Sequence, residues 1–178
     1  RVLIDAAFGT AYTGKTGSTA TTFPAGQVIA VDQGGGGNVG LTISKLRATR
    51  KLFRSNNIPD VEKLYMAVTA TQLDNLLATT QVTSSDYNTV KALTNGEVDS
   101  FMGFKFLHTE LVVTDANAYR RVIAWSVMGL LLASNPELET DIGPRRDKRN
   151  AIQVYVNGNY GATRMDEVRT IEVKCSEV

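Results

Sequence analysis

The spacing of hydrophobic residues near the C-terminus most constrains the fold of this chain. Two stretches there alternate apolar with polar residues, and glycines separate the stretches. The apolar positions are Ile152, Val154 and Val156 in the first stretch and Ile171, Val173 and Cys175 in the second. A period of two is typical of β-strands with one buried face. The sequence therefore predicts that the chain ends in β-sheet.

Helical patterns occur in the earlier part of the chain. Residues 1–12 resemble the end of an apolar helix that Gly14 would stop, and residues 41–56 predict a second helix. A third helix is predicted after Thr69, because Thr69 and Gln72 have the spacing of a capping box and leucines follow them.

The order of helices and strands indicates the fold class. The strands predicted by alternation are residues 28–32, 63–68, 101–107 with a break at Gly103, 118–125 and 137–142. A shorter helical piece is predicted over 86–93, and residues 126–133 fit a helix and a strand equally well. Strands and helices do not alternate regularly, so the sequence predicts an α+β fold rather than a doubly wound one.

Composition excludes several classes of function. The 178 residues carry 19 Lys and Arg against 18 Asp and Glu, so the net charge of +1 gives no global attraction to DNA or anionic membranes. The single cysteine, Cys175, excludes an internal disulfide, and we expect it to be a small buried residue on a terminal strand. The single histidine, His108, leaves no histidine pair for a metal, and we expect no catalytic role for it. We also expect no membrane span, since the longest apolar stretch, residues 122–133, is too short.

One motif suggests nucleotide binding. GTAYTGKTG, residues 9–17, fits the phosphate-loop pattern G-x-x-x-x-G-K-[ST]. The candidate residues are Gly9, Gly14, Lys15 and Thr16, with Asp32 as a magnesium ligand. Such a loop needs a helix after it, but Gly17, several β-branched residues and Pro24 oppose one. We interpret the stretch as a connector and keep a nucleotide hydrolase as the alternative function.

The predicted helix over 41–56 carries a concentration of positive charge. Five cations occur there without an intervening acid: Lys45, Arg47, Arg50, Lys51 and Arg54. A solvated helix face is one interpretation, and a patch for phosphate or a partner is another. A nucleic-acid module using these residues is a third candidate function, although stacking aromatics are nearly absent there.

Three segments together resemble the major capsid proteins of tailed bacteriophages with the Hong Kong 97-type fold. The segments are TATQLDNLLA (69–78), SSDYNTVKALTNGEVDSFMGFKFL (84–107) and RRDKRNAIQVYVNGNYGATRMDEVRTIEVKC (145–175). Their order and spacing carry the likeness, which covers roughly residues 40–178.

The resemblance implies an axial domain plus part of a peripheral domain. Residues 1–13 would be the end of the spine helix in the peripheral domain, and residues 14–135 the axial domain. Residues 136–178 would return through the peripheral domain and supply a closing strand. The resemblance also implies that the N-terminal arm and the extended loop, which lie upstream in this family, are absent from this chain.

The resemblance further implies a structural role without catalysis or cofactors. The chain would be a major capsid subunit that associates with copies of itself in pentamers and hexamers to enclose a double-stranded DNA genome. Other capsid or scaffold components could join it, and packaged DNA would be contacted only indirectly. Its location would be the virion, after assembly in the cytoplasm of the bacterial host.

Two sites are candidates for contacts between subunits. The first is the basic cluster Arg145, Arg146, Lys148 and Arg149. Against Asp141 and Asp147, these four cations leave a net charge of +2 over residues 141–149, which is too little for a surface that wraps a genome. We interpret the cluster as an intersubunit charge contact, with a solvated turn as the alternative. The second candidate is Arg164, after NYGAT.

Overall fold

The computed structural model describes residues 1–78, 100–135 and 139–177. In chain order these residues form α1 (Val2–Phe8), β1 (Ala11–Thr13), β2 (Thr19–Thr21), β3 (Val28–Ile29), α2 (Ile43–Ser55), β4 (Leu64–Val68), α3 (Ala70–Leu77), β5 (Ser100–Phe101), β6 (Phe104–His108), β7 (Arg120–Ser126), β8 (Leu130–Ser134), β9 (Glu139–Arg145), β10 (Ala151–Asn157), β11 (Tyr160–Arg164) and β12 (Thr170–Cys175). The helix predicted over 86–93 lies outside the described residues.

A six-stranded mixed sheet forms the centre of the fold. The order across the sheet is β3-β12-β7-β4-β6-β5. The last strand, β12, lies between β3, to which it is parallel, and β7, to which it is antiparallel. The C-terminal segment therefore returns to the sheet that residues 28–126 begin.

The sheet is covered on both faces, and side chains alternate between two cores. Leu64, Met66 and Val68 of β4 point into a core that also receives Leu46 and Phe53 of α2. The residues between them on β4 join a second, smaller core with Ala7 and Phe8 of α1 and Trp125 of β7. The period-two prediction for residues 63–68 is confirmed.

Local signals explain where the helices begin and end. α2 begins after Thr42, whose hydroxyl accepts a hydrogen bond from the Lys45 amide at 3.4 Å. At the start of α3 the Gln72 side chain accepts from the Thr69 amide at 3.2 Å, as the capping box predicts. α1 ends at Gly9 and not at Gly14, because residues 11–13 turn into β1, which pairs with β2.

Residues 101–107 and 126–133 both contain β-strands. Residues 101–107 form a hairpin, not one strand, because Met102 and Gly103 both adopt positive φ and turn β5 back onto β6. Residues 127–129 form a turn between β7 and β8, so the helical interpretation of residues 126–133 is wrong. β8 pairs with β11, a strand that the sequence did not predict.

Two antiparallel ladders lie outside the central sheet. β8 pairs with β11, and further along the same two chain segments β9 pairs with β10 in a second two-stranded sheet. We call residues 139–157 the distal hairpin. Each of its strands has seven residues, or about 23 Å of extended chain.

Candidate assembly surfaces

The phosphate-loop motif does not form a phosphate site. Residues 9–17 run from the end of α1 through β1 into a tight turn, where Gly14 and Gly17 adopt φ of +90° and +63°. Lys15 and Thr16 are exposed at this turn, and the Thr16 hydroxyl donates to Ser18 Oγ at 3.0 Å. The next element is β2, so the helix N-terminus that such a loop requires is missing and the nucleotide-binding interpretation is wrong.

The other isolated polar residues do not converge on a site. Asp32 is exposed in a turn, and His108 lies at the exposed end of β6 with its Nε2 atom 3.3 Å from Glu110 Oε1. Cys175 is buried on β12 as predicted, and burial raises the pKa of its thiol to about 12. Among residues 1–78, 100–135 and 139–177 there is no group of three or more His, Cys, Asp or Glu side chains that could hold a metal. The helices within those residues fall short of the length and apolar character that a membrane span requires.

Lys45 is not part of an exposed cationic face. Its side chain is fully buried, and its ammonium group donates to the carbonyl oxygens of Val39 at 2.6 Å and Lys174 at 2.7 Å. Burial lowers the pKa of Lys45. The residue ties α2 to the loop before it and to β12, so the prediction that all five cations of this helix share one charged surface is wrong.

Arg164 lies inside its own subunit. Its side chain has 0% exposure, and its guanidinium donates to the carbonyl oxygens of Ala7 at 2.7 Å, Gly9 at 2.9 Å and Thr21 at 3.1 Å. The same group pairs with Glu167 at 2.7 Å. The expectation of a direct intersubunit contact does not fit, because a side chain with no exposed surface cannot reach a neighbouring subunit.

The basic cluster lies at the tip of the distal hairpin. Arg145 ends β9, Arg146 and Lys148 lie in a single 3-10 turn, and Arg149 adopts φ of +54° before β10 begins. All four are exposed, and Arg145 Nε lies 2.9 Å from Asp147 Oδ1. Among the described residues no carboxylate pairs with the other three. The tip therefore carries three cations without a paired carboxylate among the described residues: Arg146, Lys148 and Arg149.

One face of the distal hairpin is apolar and uncovered. Val154 lies opposite Ile142 in the ladder, and Ile152 and Val156 flank Val154 on the same face. The exposed fractions are 70% for Ile142, 78% for Ile152, 66% for Val154 and 60% for Val156. The alternation of residues 152, 154 and 156 correctly predicted a strand but wrongly predicted a buried face. Sequence reasoning missed this surface because a period of two does not say what covers the apolar side.

Solved capsid structures resemble nearly the whole chain. A capsid of Ralstonia phage GP4 matches with a TM-score of 0.68 at 7% identity, covering 98% of this chain and 62% of that one. A structure from Mycobacterium phage Che8 matches with a TM-score of 0.64 at 16% identity, covering 97% and 54%. The capsid of cyanophage Pam1 matches with a TM-score of 0.65 at 10% identity, covering 98% and 63%. The fold is the α+β capsid fold of the Hong Kong 97 type, as the sequence predicted.

A family model points to the same class. The phage capsid protein model matches residues 1–177. The chain therefore belongs to the phage capsid protein family. It spans 54 to 63% of the length of the three phage chains described above. No match was found among curated proteins.

Proposed function

We propose that this chain is part of a major capsid subunit that assembles with copies of itself, as pentamers and hexamers, into the icosahedral shell of a tailed phage. The shell would enclose double-stranded DNA in the virion after assembly in the host cytoplasm. The role is structural, with no bond made or broken. The observation that carries the proposal is membership of the capsid family together with the uncovered apolar face of the distal hairpin.

The domain division is part of this proposal. Residues 1–13 would end the spine helix, residues 14–135 would form the axial domain, and residues 136–178 would pass through the peripheral domain and close the sheet. The central position of β12 between β3 and β7 supports the last part. The exposure of the distal hairpin supports a separate lobe for residues 139–157.

The distal hairpin has the physical properties of an assembly element. An isolated two-stranded hairpin is marginal in water, and burying one exposed Val or Ile contributes about 1.5 to 3 kcal/mol. Repeated on every subunit, contacts of that size would contribute to closing the shell against the entropic cost of association. We propose that a neighbouring subunit covers the face formed by Ile142, Ile152, Val154 and Val156.

The tip of the hairpin would add a charge contact. Arg145 already forms an ion pair with Asp147 of its own chain, so the cations available to a neighbour are Arg146, Lys148 and Arg149. Exposed ion pairs contribute little individually and are screened by salt. We therefore propose that the charged tip selects and orients the neighbouring subunit, whereas the apolar face provides most of the binding free energy.

The test is assembly of the full-length gene product, seen by electron microscopy and by sedimentation. Ile152→Asp/Val154→Asp is expected to leave the subunit folded and to abolish shells. Gln153→Asp/Tyr155→Asp is the matched control, because these residues lie on the same strand but on the other face. The control is expected to assemble.

Two results would contradict the proposal. One is a wild-type product that stays monomeric under every assembly condition. The other is an Ile152→Asp/Val154→Asp product that still forms shells with wild-type yield. Circular dichroism of both double variants shows whether either change has unfolded the subunit.

A further inference from the structure

Two residues after β12 connect parts of the chain that lie far apart in sequence. The Ser176 amide donates to the Val39 carbonyl oxygen at 3.0 Å, in the loop before α2. The Glu177 carboxylate accepts hydrogen bonds from the start of α3 and from the start of β7. We call residues 176 and 177 the strap. The strap therefore joins three earlier segments of the chain to the end of β12.

The Glu177 carboxylate divides its two oxygen atoms between α3 and β7. Its Oε1 atom accepts from the Thr69 hydroxyl at 2.7 Å and from the Gln72 side-chain amide at 3.1 Å. Its Oε2 atom accepts from Arg120 Nε at 2.6 Å. Hydrogen bonds to an ionised group are roughly twice as strong as those between neutral groups. One side chain therefore fixes the first turn of α3 against the first residue of β7.

The α3 groups that bind Glu177 are enclosed. Thr69 and Gln72 each have 0% exposure, and among the described residues Glu177 is the acceptor that their side-chain donors reach. The Glu177 side chain itself is 20% exposed, and that of Arg120 is 25% exposed. A buried donor without an acceptor costs the desolvation free energy of that group. Withdrawal of the strap would therefore leave two buried donors unpaired at the start of α3.

The helix α3 depends on tertiary contacts because it is short. It has eight residues, and a helix of that length is not stable alone in water. Leu73 and Leu76 pack into the larger core and anchor the middle and the end of the helix. The first turn is held by the Glu177 contacts and by the exposed Glu110, which accepts from the Ala70 amide at 2.8 Å. The strap therefore supports the part of α3 where the contacts are polar.

The central sheet is held together by other contacts. Met66, Val122 and Ile171 lie in the larger core on β4, β7 and β12, each with 0% exposure. The β4–β7 and β7–β12 ladders join these strands directly. Native proteins open in local units whose stability is lower than that of the whole fold. The helix α3 with the strap has the contacts expected of such a unit.

We propose that the strap is a conformational device that controls α3. When residues 176 and 177 leave their contacts, α3 opens as a local unit while the sheet stays folded. Glu177 would thus act on Thr69 and Gln72, which lie 108 and 105 residues earlier in the chain. The proposal does not depend on shell assembly, and it can be tested on the 178-residue chain.

The test is native hydrogen exchange, measured by mass spectrometry on peptides from α3 and from the central sheet. Glu177→Ala is expected to raise the exchange rate of the α3 amides about 10- to 100-fold, which corresponds to the loss of one or two hydrogen bonds to a charged group. Glu177→Gln keeps one acceptor oxygen and is expected to give a smaller increase. Circular dichroism checks that both variants stay folded.

Ile123→Val is the control that weakens the sheet without altering the strap. Ile123 is buried in the smaller core, on the face of β7 opposite to the core that receives Leu73 and Leu76. Its shortening is expected to speed exchange in the sheet, which requires global unfolding, and to change α3 exchange less than about twofold. This contrast identifies a local opening, because amides that exchange only through global unfolding respond to both variants.

Two further measurements complete the experiment. A chain that ends at Cys175 lacks the whole strap and is expected to raise α3 exchange at least as much as Glu177→Ala. In low concentrations of urea, α3 exchange is expected to depend less on the urea concentration than exchange in the sheet, since a local opening exposes less surface.

Any of four results would overturn the proposal. One is α3 exchange in Glu177→Ala that stays within twofold of the wild type. Another is Ile123→Val speeding α3 as much as the sheet, which would mean that α3 opens only with the whole fold. The third is a chain ending at Cys175 that keeps wild-type exchange in α3. The fourth is the loss of all native structure in Glu177→Gln, because the sheet is expected to stay folded without the strap.

Discussion

Replacing Arg164 by alanine tests whether one enclosed guanidinium holds the N-terminal segment to the body. The group joins three parts of the chain: the end of α1 through Ala7 and Gly9, the β1–β2 hairpin through Thr21, and the turn before β12 through Glu167. The guanidinium also lies 5.3 Å from the centre of the Phe23 ring. No other described side chain bonds to all of these parts.

The structure sets the expected magnitude. Alanine leaves three carbonyl oxygens and the Glu167 carboxylate without their donor. An orphaned buried polar group costs about 1 to 3 kcal/mol, and removing one partner of a buried ion pair costs about 3 to 5 kcal/mol. Because Glu167 is partly exposed and water can reach some of the carbonyls, we expect a loss of about 4 kcal/mol in the free energy of unfolding. That is a large share of the 5 to 15 kcal/mol typical of a domain.

Urea denaturation followed by the fluorescence of Trp125 measures this loss. Trp125 lies in the core that contains Ala7 and Phe8, so its emission reports the region that Arg164 holds. With a slope near 2 kcal/mol per molar urea, the midpoint is expected to fall by about 2 M. Arg164→Lys keeps the charge but loses the fork, and is expected to lie between the wild type and Arg164→Ala.

Arg146→Ala is the matched control, because this arginine is exposed at the hairpin tip and is expected to change stability by less than about 0.5 kcal/mol. The reasoning is refuted if Arg164→Ala stays within about 1 kcal/mol of the wild type with an unchanged slope. It is also refuted if Arg164→Lys restores full stability, since charge alone would then be sufficient.

Two further predictions concern buried titratable side chains, Lys45 on α2 and Cys175 on β12. Burial lowers the pKa of Lys45 in the folded protein. Between this lowered pKa and the ordinary lysine pKa, the unfolded chain binds more protons than the folded chain. The free energy of unfolding of the wild type, relative to that of Lys45→Met, is therefore expected to rise with pH over this range. Denaturation at several alkaline pH values checks this, and a difference that is flat or falls with pH contradicts it. Cys175 is buried with a pKa of about 12, so it is expected to resist a thiol reagent at pH 8 in the native protein and to react fully in guanidinium; rapid native labelling would show that the thiol is accessible.

Sequence patterns were most reliable where local preference and burial coincide. The alternation of Leu64, Met66 and Val68 predicted both the strand and the face that contacts the helices. Ile171, Val173 and Cys175 were similarly alternating and are fully buried on β12. In these segments the apolar residues are β-formers and are also buried, so the sequence pattern and the tertiary structure agree.

Sequence patterns did not predict the structure where strand pairing forms a strand from residues without apolar alternation. The β11 residues YGATR show no apolar alternation, and they form a strand because β8 provides the ladder. The three residues 152, 154 and 156 formed the expected strand, but their apolar face is open. The spacing of hydrophobic residues specifies the backbone conformation and which face of the strand is apolar. What packs against that face depends on distant parts of the chain or on another molecule.

The candidate sites show the same division. From sequence alone, Lys45 and Arg47 were equivalent members of one cationic helix, but one is buried on two carbonyl groups and the other lines a groove. Arg164 and Arg146 were equivalent candidates for an interface, but one is enclosed and the other is exposed at a turn. Long basic side chains occur in both settings, so composition cannot separate them.

By itself the sequence determined the α+β class, the family likeness, α2, the capping box of α3 and the alternating strands β4 and β12. These features depend on contacts within a few residues, and on the partition of apolar side chains away from water. Only the tertiary structure decided which cations are enclosed, which strands pair, and which apolar face has no cover. Those outcomes depend on chain segments that are far apart in sequence, such as Arg164 with Ala7 or Lys45 with Lys174, and local patterns contain no record of such contacts.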